Sequence, residues 1–340
     1  MTTKCKTNDI VAKRTSIIND LSKTGLFNHI SAVSYVHSLT QKEIVNASSE
    51  ELCVKHKTNK AKPFVKWVGG KRQLLKQFKK LELYPPGGFD PLKNTYFEPF
   101  VGGGAVFLDL LLRKAVLSDM NLELVIAYNV IKKDLSKLIK KLKEHQRKNS
   151  KEYFLKIRAQ NLNRLSDVSI AARFIYLNRT CFNGLYRVNL SGGFNTPYGK
   201  YKNPLIVDKE NLRKISKVLQ KTTIKHQDYK ENVKNAKKGD FLYFDPPYAP
   251  LSLTSSFTSY TKDGFGEQQQ IELRDTFYKL HKKGCFVMLS NSNSDFINKI
   301  YGELAKKDKR IKINKLGANR MINSNASKRG KIKEILVVNY

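Results

Sequence analysis

The chain has 340 residues and a formal net charge of +34, from 63 Lys+Arg against 29 Asp+Glu. Forty per cent of residues are apolar, enough for a packed core, which excludes a disordered polycation. No apolar run reaches the ~18 residues of a membrane span, and Met1 to Asp9 lacks the apolar core of a signal peptide.

The expectation is therefore a cytoplasmic protein of two domains, or of one large domain with an insertion. The positive excess points to a polyanionic partner, nucleic acid first. Only 14 of the 63 basic residues are Arg, so a Lys-biased surface would account for the charge equally well. Cys5, Cys53, Cys181 and Cys285 are far apart and form no C-x-x-C pair, and the six histidines form no H-E-x-x-H pattern. No metal site is expected.

Residues 1–62 read as an extension, with polar runs such as Lys55 to Lys60 and weak helical patches at Ile17, Ile18 and Leu21. The pattern sharpens at Pro63, where Phe64 to Val68 leads into Gly69-Gly70-Lys71 and a helical run of Leu74, Leu75 and Phe78 follows. Tyr96-Phe97-Glu98-Pro99-Phe100-Val101 reads as a buried strand. It enters Gly102-Gly103-Gly104, then an apolar run of helical length from Val106 to Leu112, then a second strand, Ala115 to Asp119. Strand, glycine turn, helix, strand and acid make a nucleotide-binding βαβ unit, with Asp119 placed to accept ribose hydroxyls.

Residues 122–165 are helical and basic, with Leu135, Leu138, Ile139 and Leu142 on one face and lysines around the other. In 174–204 the turn signal Ser191-Gly192-Gly193 separates two runs of mixed aromatic and polar residues, which predicts a β-hairpin. Its Asn, Arg and aromatic residues are types that read base edges and wedge into stacks. Phe241 to Phe244 is again a buried strand. It stops at Asp245-Pro246-Pro247-Tyr248, because two prolines cannot continue a ladder. Cys285 to Asn293 repeats strand followed by polar loop, and Ile332 to Asn339 makes a last strand.

The Asp-Pro-Pro-Tyr loop suits methyl transfer to an exocyclic amine. The adenine N6 lone pair is delocalised into the ring. Acceptors on both of its hydrogens, the Asp245 carboxylate and the Pro246 carbonyl, would localise it. Tyr248 would stack on the base, and alignment with the methyl donor would supply most of the rate.

These motifs, in one order, resemble the Dam and DpnII-type (DpnM-like) DNA adenine-N6 methyltransferases. The resemblance covers Pro63 to Tyr340 and rests on Lys66 to Lys71, Glu98 to Gly104, Ser118 to Asn121, the segment 176–204, Asp245 to Tyr248, Leu289 to Ser292 and Arg320 to Asn323. It implies an α/β, Rossmann-like S-adenosylmethionine-dependent sheet split by an inserted helical and β-hairpin target-recognition domain. The boundaries would be 1–62 extension, 63–121 first catalytic part, 122–204 recognition domain and 205–340 second catalytic part.

The resemblance further implies S-adenosylmethionine held by Trp67, Lys71, Phe100, Gly102, Gly104, Asp119, Asp228 and Asp245. It implies catalysis by Asp245, Pro246 and Tyr248 on an adenine flipped out of GATC duplex DNA. In that reading Arg187 contacts an outer guanine, Leu185 and Pro197 pack on a thymine methyl, and Lys66 and Tyr201 address the first base pair. Phe182 wedges into the stack, Asn183 lies near the orphaned thymine, and Lys200 contacts phosphate. Phe182 departs from the common tyrosine and Lys200 from the common arginine.

The expected protein is a monomer without a metal, with double-stranded DNA as partner and a GATC restriction endonuclease as possible functional partner. Two alternatives stay open: a DNA-binding regulator that kept the fold, and a methyltransferase for another amine or amide. Against the second, related protein-glutamine enzymes carry Asn, and cytosine-N4 enzymes usually Ser, at the position of Asp245.

Overall fold

Short runs of Phe, Tyr, Val, Leu and Ile build a central sheet, and their alternation feeds two cores. In the protein's structure, a computed structural model, residues 2–23, 29–39, 44, 60–110, 112, 114–189, 191–249, 265–319 and 331–340 are described. The strands are β1 (Tyr96–Glu98), β2 (Ala115–Asp119), β3 (Thr222–His226), β4 (Phe241–Phe244), β5 (Phe286–Ser292), β6 (Lys312–Asn319) and β7 (Lys331–Val338). They lie in the order β3-β2-β1-β4-β5-β7-β6. β1 to β5 run parallel, while β7 pairs antiparallel with both β5 and β6.

Successive side chains of a strand point to opposite faces. Tyr96, Phe241, Tyr243, Met288, Leu336 and Val338 enter one core. Their neighbours Phe97, Leu242, Phe244, Val287, Leu289, Ile335 and Val337 enter the other. A sheet covered on both faces has fully apolar central strands, as the burial of all four residues of β4 shows.

The helices, in chain order, are α1 (Thr2–Lys23), α2 (His29–Ser38), α3 (Leu75–Lys80), α4 (Ala105–Leu110), α5 (Leu122–Lys133), α6 (Leu135–Arg147), α7 (Lys151–Arg158), α8 (Asp167–Thr180), α9 (Lys209–Leu219), α10 (Tyr229–Val233), α11 (Glu267–Lys282) and α12 (Asp295–Lys307). Their starts are chemically marked. Asn121, Ser150, Ser166, Asp208 and Ser294 each accept a backbone N–H from the first turn that follows. α5, α6, α8 and α9 pack on one another on the first-core side, whereas α11 and α12 contribute Leu273, Phe277, Ile297 and Tyr301 to the second core.

α1 and α2 build a small core of their own from Ile17, Ile18, Leu21, Ala32, Tyr35 and Val36.

β1 connects to β2 on one side of the sheet, and β4 lies on its other side. The carboxyl ends of β1 and β4 therefore flank the place where strand order reverses, the crevice in which open α/β sheets bind ligands. β1 is shorter than the apolar run that predicts it, since Pro99 has no N–H to continue the ladder.

The expected hairpin is also reduced. Among the described residues, the segment after α8 carries only isolated antiparallel bridges, Cys181 to Tyr198 and Val188 to Phe194. Its Asn, Gly and Pro residues favour turns over a continuous ladder. It begins with a 3-10 turn, Phe182–Gly184, and Asn183 sits at φ +54°, a left-handed conformation that Asn tolerates.

Candidate active site

The glycine turn after β1 is held from below and from behind. Asp119, at the end of β2, accepts the Gly102 N–H on Oδ2 and the Asn121 N–H on Oδ1, both at 2.9 Å. Each oxygen keeps a second lone pair for another donor. Burial raises the Asp119 carboxyl above its ordinary range, while these backbone donors oppose the rise. The Tyr128 hydroxyl on α5 donates to the Gly102 carbonyl at 3.0 Å.

Gly102 (φ +46°) and Gly104 (φ +67°) have left-handed backbones, and a Cβ on either would lie 2.6 Å from a neighbouring side-chain atom, Trp67 for Gly102 and Tyr128 for Gly104. The Trp67 indole thus lies directly over the turn. Beside it Phe100 stacks on Tyr229 at 5.5 Å between centroids and meets Phe265 edge-on at 5.7 Å. Asp228 is exposed and caps α10, accepting the Lys230 N–H at 2.8 Å.

Across the crevice, β4 delivers Asp245 to the same edge. Buried Lys71 places Nζ 2.9 Å from Asp245 Oδ1, also donates to the Gly69 carbonyl, and lies 4.8 Å from the centre of the Tyr248 ring. The Asp245 contact is an ion pair rather than a directed hydrogen bond, since Oδ1 has no partner of hydrogen-bonding geometry. Burial pushes the Asp245 carboxyl up to about 6, against the pull of Lys71.

The loop itself is fastened by residues that carry no obvious chemistry in the sequence. Pro247 O accepts from Gln270 at 2.9 Å, Ala249 O accepts from Ser292 at 2.8 Å, and Tyr243 and Ser290 share a 2.8 Å hydrogen bond beneath it. Pro246 is buried between Asp245 and exposed Pro247. The motif Leu289 to Ser292 is thus a buttress for the Asp-Pro-Pro-Tyr loop.

Two acids to which the sequence assigned no role belong to this assembly. Glu334 on β7, buried, accepts the Tyr248 hydroxyl at 2.6 Å and so fixes the ring. Glu98, at the end of β1 and 2% exposed, accepts Tyr96 Oη–H at 2.8 Å and the Phe107 N–H at 3.1 Å. Burial pushes its carboxyl up to about 8. Glu98 interrupts an otherwise apolar strand run, the signal that could have found it, because a buried acid needs partners, whereas Glu334 follows Lys331 and Lys333 and reads as one charge among several.

Several of the residues expected to touch DNA are tied to one another, or to their neighbours, by short contacts. Phe182 is 54% exposed, unusual for so large an aromatic, and its N–H donates to Pro197 O. Lys66 lies 4.8 Å from the Tyr201 ring centre, and Asn178 ties Lys66 and Gly184 together through 2.8 and 3.0 Å bonds to their carbonyls. The Leu185 carbonyl accepts from Thr196 at 2.6 Å, and the exposed Arg187 guanidinium donates to Asn195 Oδ1 at 2.7 Å. Asn183 is half-buried and Lys200 exposed.

A cavity of about 430 Å³ lies elsewhere, between Arg158 to Leu162 and Ser191 to Phe194, and holds none of the residues above. On α6, Lys137 and Lys141 are engaged by Asp134 and Glu144, whereas Lys140 and Lys143, and Lys133 at the end of α5, are exposed. The motif Arg320 to Asn323 lies outside the described residues.

The family model of D12 class N6 adenine-specific DNA methyltransferases matches residues 67–319, which spans both sides of the crevice. The chain belongs to this family. It is 48% identical over 297 residues to the Type II methyltransferase M1.LlaDCHI of Lactococcus lactis subsp. cremoris, covering 85% of this chain and 99% of that one. It is 43% identical over 295 residues to the Type II methyltransferase M.MjaIII of Methanocaldococcus jannaschii, covering 82% and 99%. Similarity to the DNA adenine methylase of Escherichia coli (strain K12) is 32% over 281 residues, covering 82% and 95%.

A D12 class enzyme transfers a methyl group to adenine in DNA, and the family implies S-adenosylmethionine as donor. The seven-stranded α/β sheet agrees with that class. Residues 1–62 precede the matched region. Among the described residues no helix is long and apolar enough to cross a membrane.

Proposed function

We propose that this D12 class enzyme methylates N6 of adenine within double-stranded GATC, on a base flipped out of the duplex. The observation that carries the reading is the Lys71–Asp245 pair, which joins the acid after β4 to the glycine turn side of the same crevice. S-adenosylmethionine supplies an electrophilic methyl group when bound.

Its fit to this chain is supported by the turn at Gly102 and Gly104, which side chains would fill, and by the spare lone pairs of Asp119. Trp67, Lys71, Phe100, Asp119 and Asp245 would hold the donor, with Asp228 at the outer edge. Asp245, as a carboxylate, accepts one N6 hydrogen and the Pro246 carbonyl the other, which localises the nitrogen lone pair. Tyr248, fixed by Glu334, stacks on the adenine. Flipping costs unstacking of the base, and the exposed Phe182 ring is suited to wedge into the stack.

In this reading residues 122–204 are the target-recognition region. Arg187 contacts guanine, Leu185 and Pro197 a thymine methyl, and Lys66 and Tyr201 the first base pair. Asn183 lies near the orphaned thymine, and Lys200 contacts phosphate. The enzyme acts as a monomer, and similarity to Type II methyltransferases supports pairing with a restriction endonuclease.

The test is direct. The chain is expressed in cells lacking adenine methylation, and their DNA is digested with endonucleases that are blocked by, or require, methylated GATC. Protection from the first and cleavage by the second are expected. DNA that behaves as unmethylated would end the proposal, and methylation mapped to another sequence would end the GATC assignment alone.

A further inference from the structure

Tyr186 lies between Leu185 and Arg187, two residues of the proposed DNA-reading segment, yet its own side chain packs among buried aromatic rings. The phenol ring stacks on Trp67, with centroids 5.9 Å apart and planes at 26°. Trp67 is the indole that covers Gly102 and Gly103 of the turn after β1. Phe174 on α8 and Phe194 in the returning leg pack the same tyrosine ring at 5.3 and 5.7 Å. Its hydroxyl donates to Glu123 Oε1 at 2.9 Å.

Glu123 is buried in the first turn of α5, two residues after Asn121, whose N–H binds Asp119. The other Glu123 oxygen takes the Arg173 guanidinium at 2.7 Å, and Arg173 also donates to the carbonyls of Ile157 and Arg158. Both partners of this ion pair are almost fully buried, and their remaining groups are satisfied, so Glu123 is a fixed anchor. One side chain thus links the segment 182–201 to the wall of the donor crevice through an aromatic stack and a charge-assisted hydrogen bond.

We infer that Tyr186, anchored by Glu123, is a positioning residue that couples the DNA-reading segment to the donor turn, so that donor and DNA each strengthen binding of the other. A donor packed against Trp67 restricts the indole. The restricted indole restricts the Tyr186 ring, and the flanking Leu185 and Arg187 backbone loses freedom before DNA arrives. Coupling between two ligands is reciprocal by thermodynamic necessity. The inference rests on the proposed function, since it takes both ligands from that reading.

The experiment measures binding of sinefungin, a donor analogue without a transferable methyl group, by calorimetry with and without a saturating GATC duplex. Duplex affinity is measured with and without saturating sinefungin. Trp67 is the only tryptophan in the chain, so its emission reports the stack directly. Wild-type protein should bind sinefungin about fivefold or more tightly with DNA present, with the same factor in the reciprocal titration.

Tyr186→Ala should bring both factors toward one, with the Trp67 emission no longer responding to DNA. Tyr186→Phe keeps the ring and the stack, safeguards against a folding defect, and should retain part of the coupling. A purely structural role would lower thermal stability and both affinities yet leave the factors unchanged, and that result overturns the inference. So does a wild-type factor of one when both ligands bind. Failure of wild-type protein to bind sinefungin or DNA at all would instead refute the function proposed above, and the coupling with it.

Discussion

Lys71 Nζ and Asp245 Oδ1, distant in the chain, lie 2.9 Å apart at the switch point of the sheet. The pair works against burial. Removal from water favours the neutral Asp245 acid, and the Lys71 charge favours the carboxylate. The balance leaves the group at about 6, ionised at neutral pH and able to accept a hydrogen bond from an amine.

That balance predicts an acid limb in the rate profile. The carboxylate is the competent form, so kcat/KM for a GATC duplex should fall about tenfold per pH unit below about 6, and level off above it. A profile flat from pH 5 to 8 would remove Asp245 from the acceptor role.

Substitutions on either side of Asp245 should move that limb in opposite directions. Lys71→Met removes the favourable charge and shifts the residual activity's limb to higher pH. Glu334→Gln removes a negative charge that raises the Asp245 carboxyl, and keeps an oxygen to accept from Tyr248, so its limb moves to lower pH. Shifts of the same sign in both variants would contradict the electrostatic account.

Glu98 carries a stability signature. Its folded-state value, pushed up to about 8, lies above its ordinary value of 4.5. Such a group contributes stability that is fully present below the unfolded value and is lost as pH rises through the folded one. Glu98→Gln should therefore flatten the decline in thermal midpoint between pH 5 and 8. An unchanged slope would place the titration elsewhere.

Gly102→Ala should weaken sinefungin binding about tenfold or more, since left-handed backbone costs an L-residue ~1–2 kcal/mol and the new Cβ would force Trp67 aside. Isothermal titration reads the affinity, and Trp67 emission reads the displacement. Unaltered affinity with an unaltered spectrum would show that the turn does not border the donor.

On the proposed GATC reading, Arg187→Ala should relax discrimination at one outer base pair at a cost of ~1–3 kcal/mol. Competition among duplexes with single substitutions measures this. Equal weakening on every duplex would make Arg187 a phosphate contact.

The amino-acid sequence by itself determined the strands at the heart of the sheet, the glycine turn with Asp119, and the Asp-Pro-Pro-Tyr loop. Central parallel strands are buried on both faces and must be continuous apolar runs, and turns that need left-handed backbone need glycine, so both leave local marks. β3 and β6 left none. They lie at the sheet's edges, where Lys225, His226, Lys312 and Lys315 are tolerated because one side meets water.

The segment 181–201 was legible as a turn between aromatic runs, but not as a pair of isolated bridges, because ladder length depends on what packs beneath it. Only the tertiary structure decided that Lys71 meets Asp245, that Glu334 holds Tyr248, and that Tyr186 turns inward to Trp67 and Glu123. Each of these contacts joins residues brought together by strand order and helix packing. A carboxylate's partner is set by that geometry, whereas its place in an apolar run records only that it must have one.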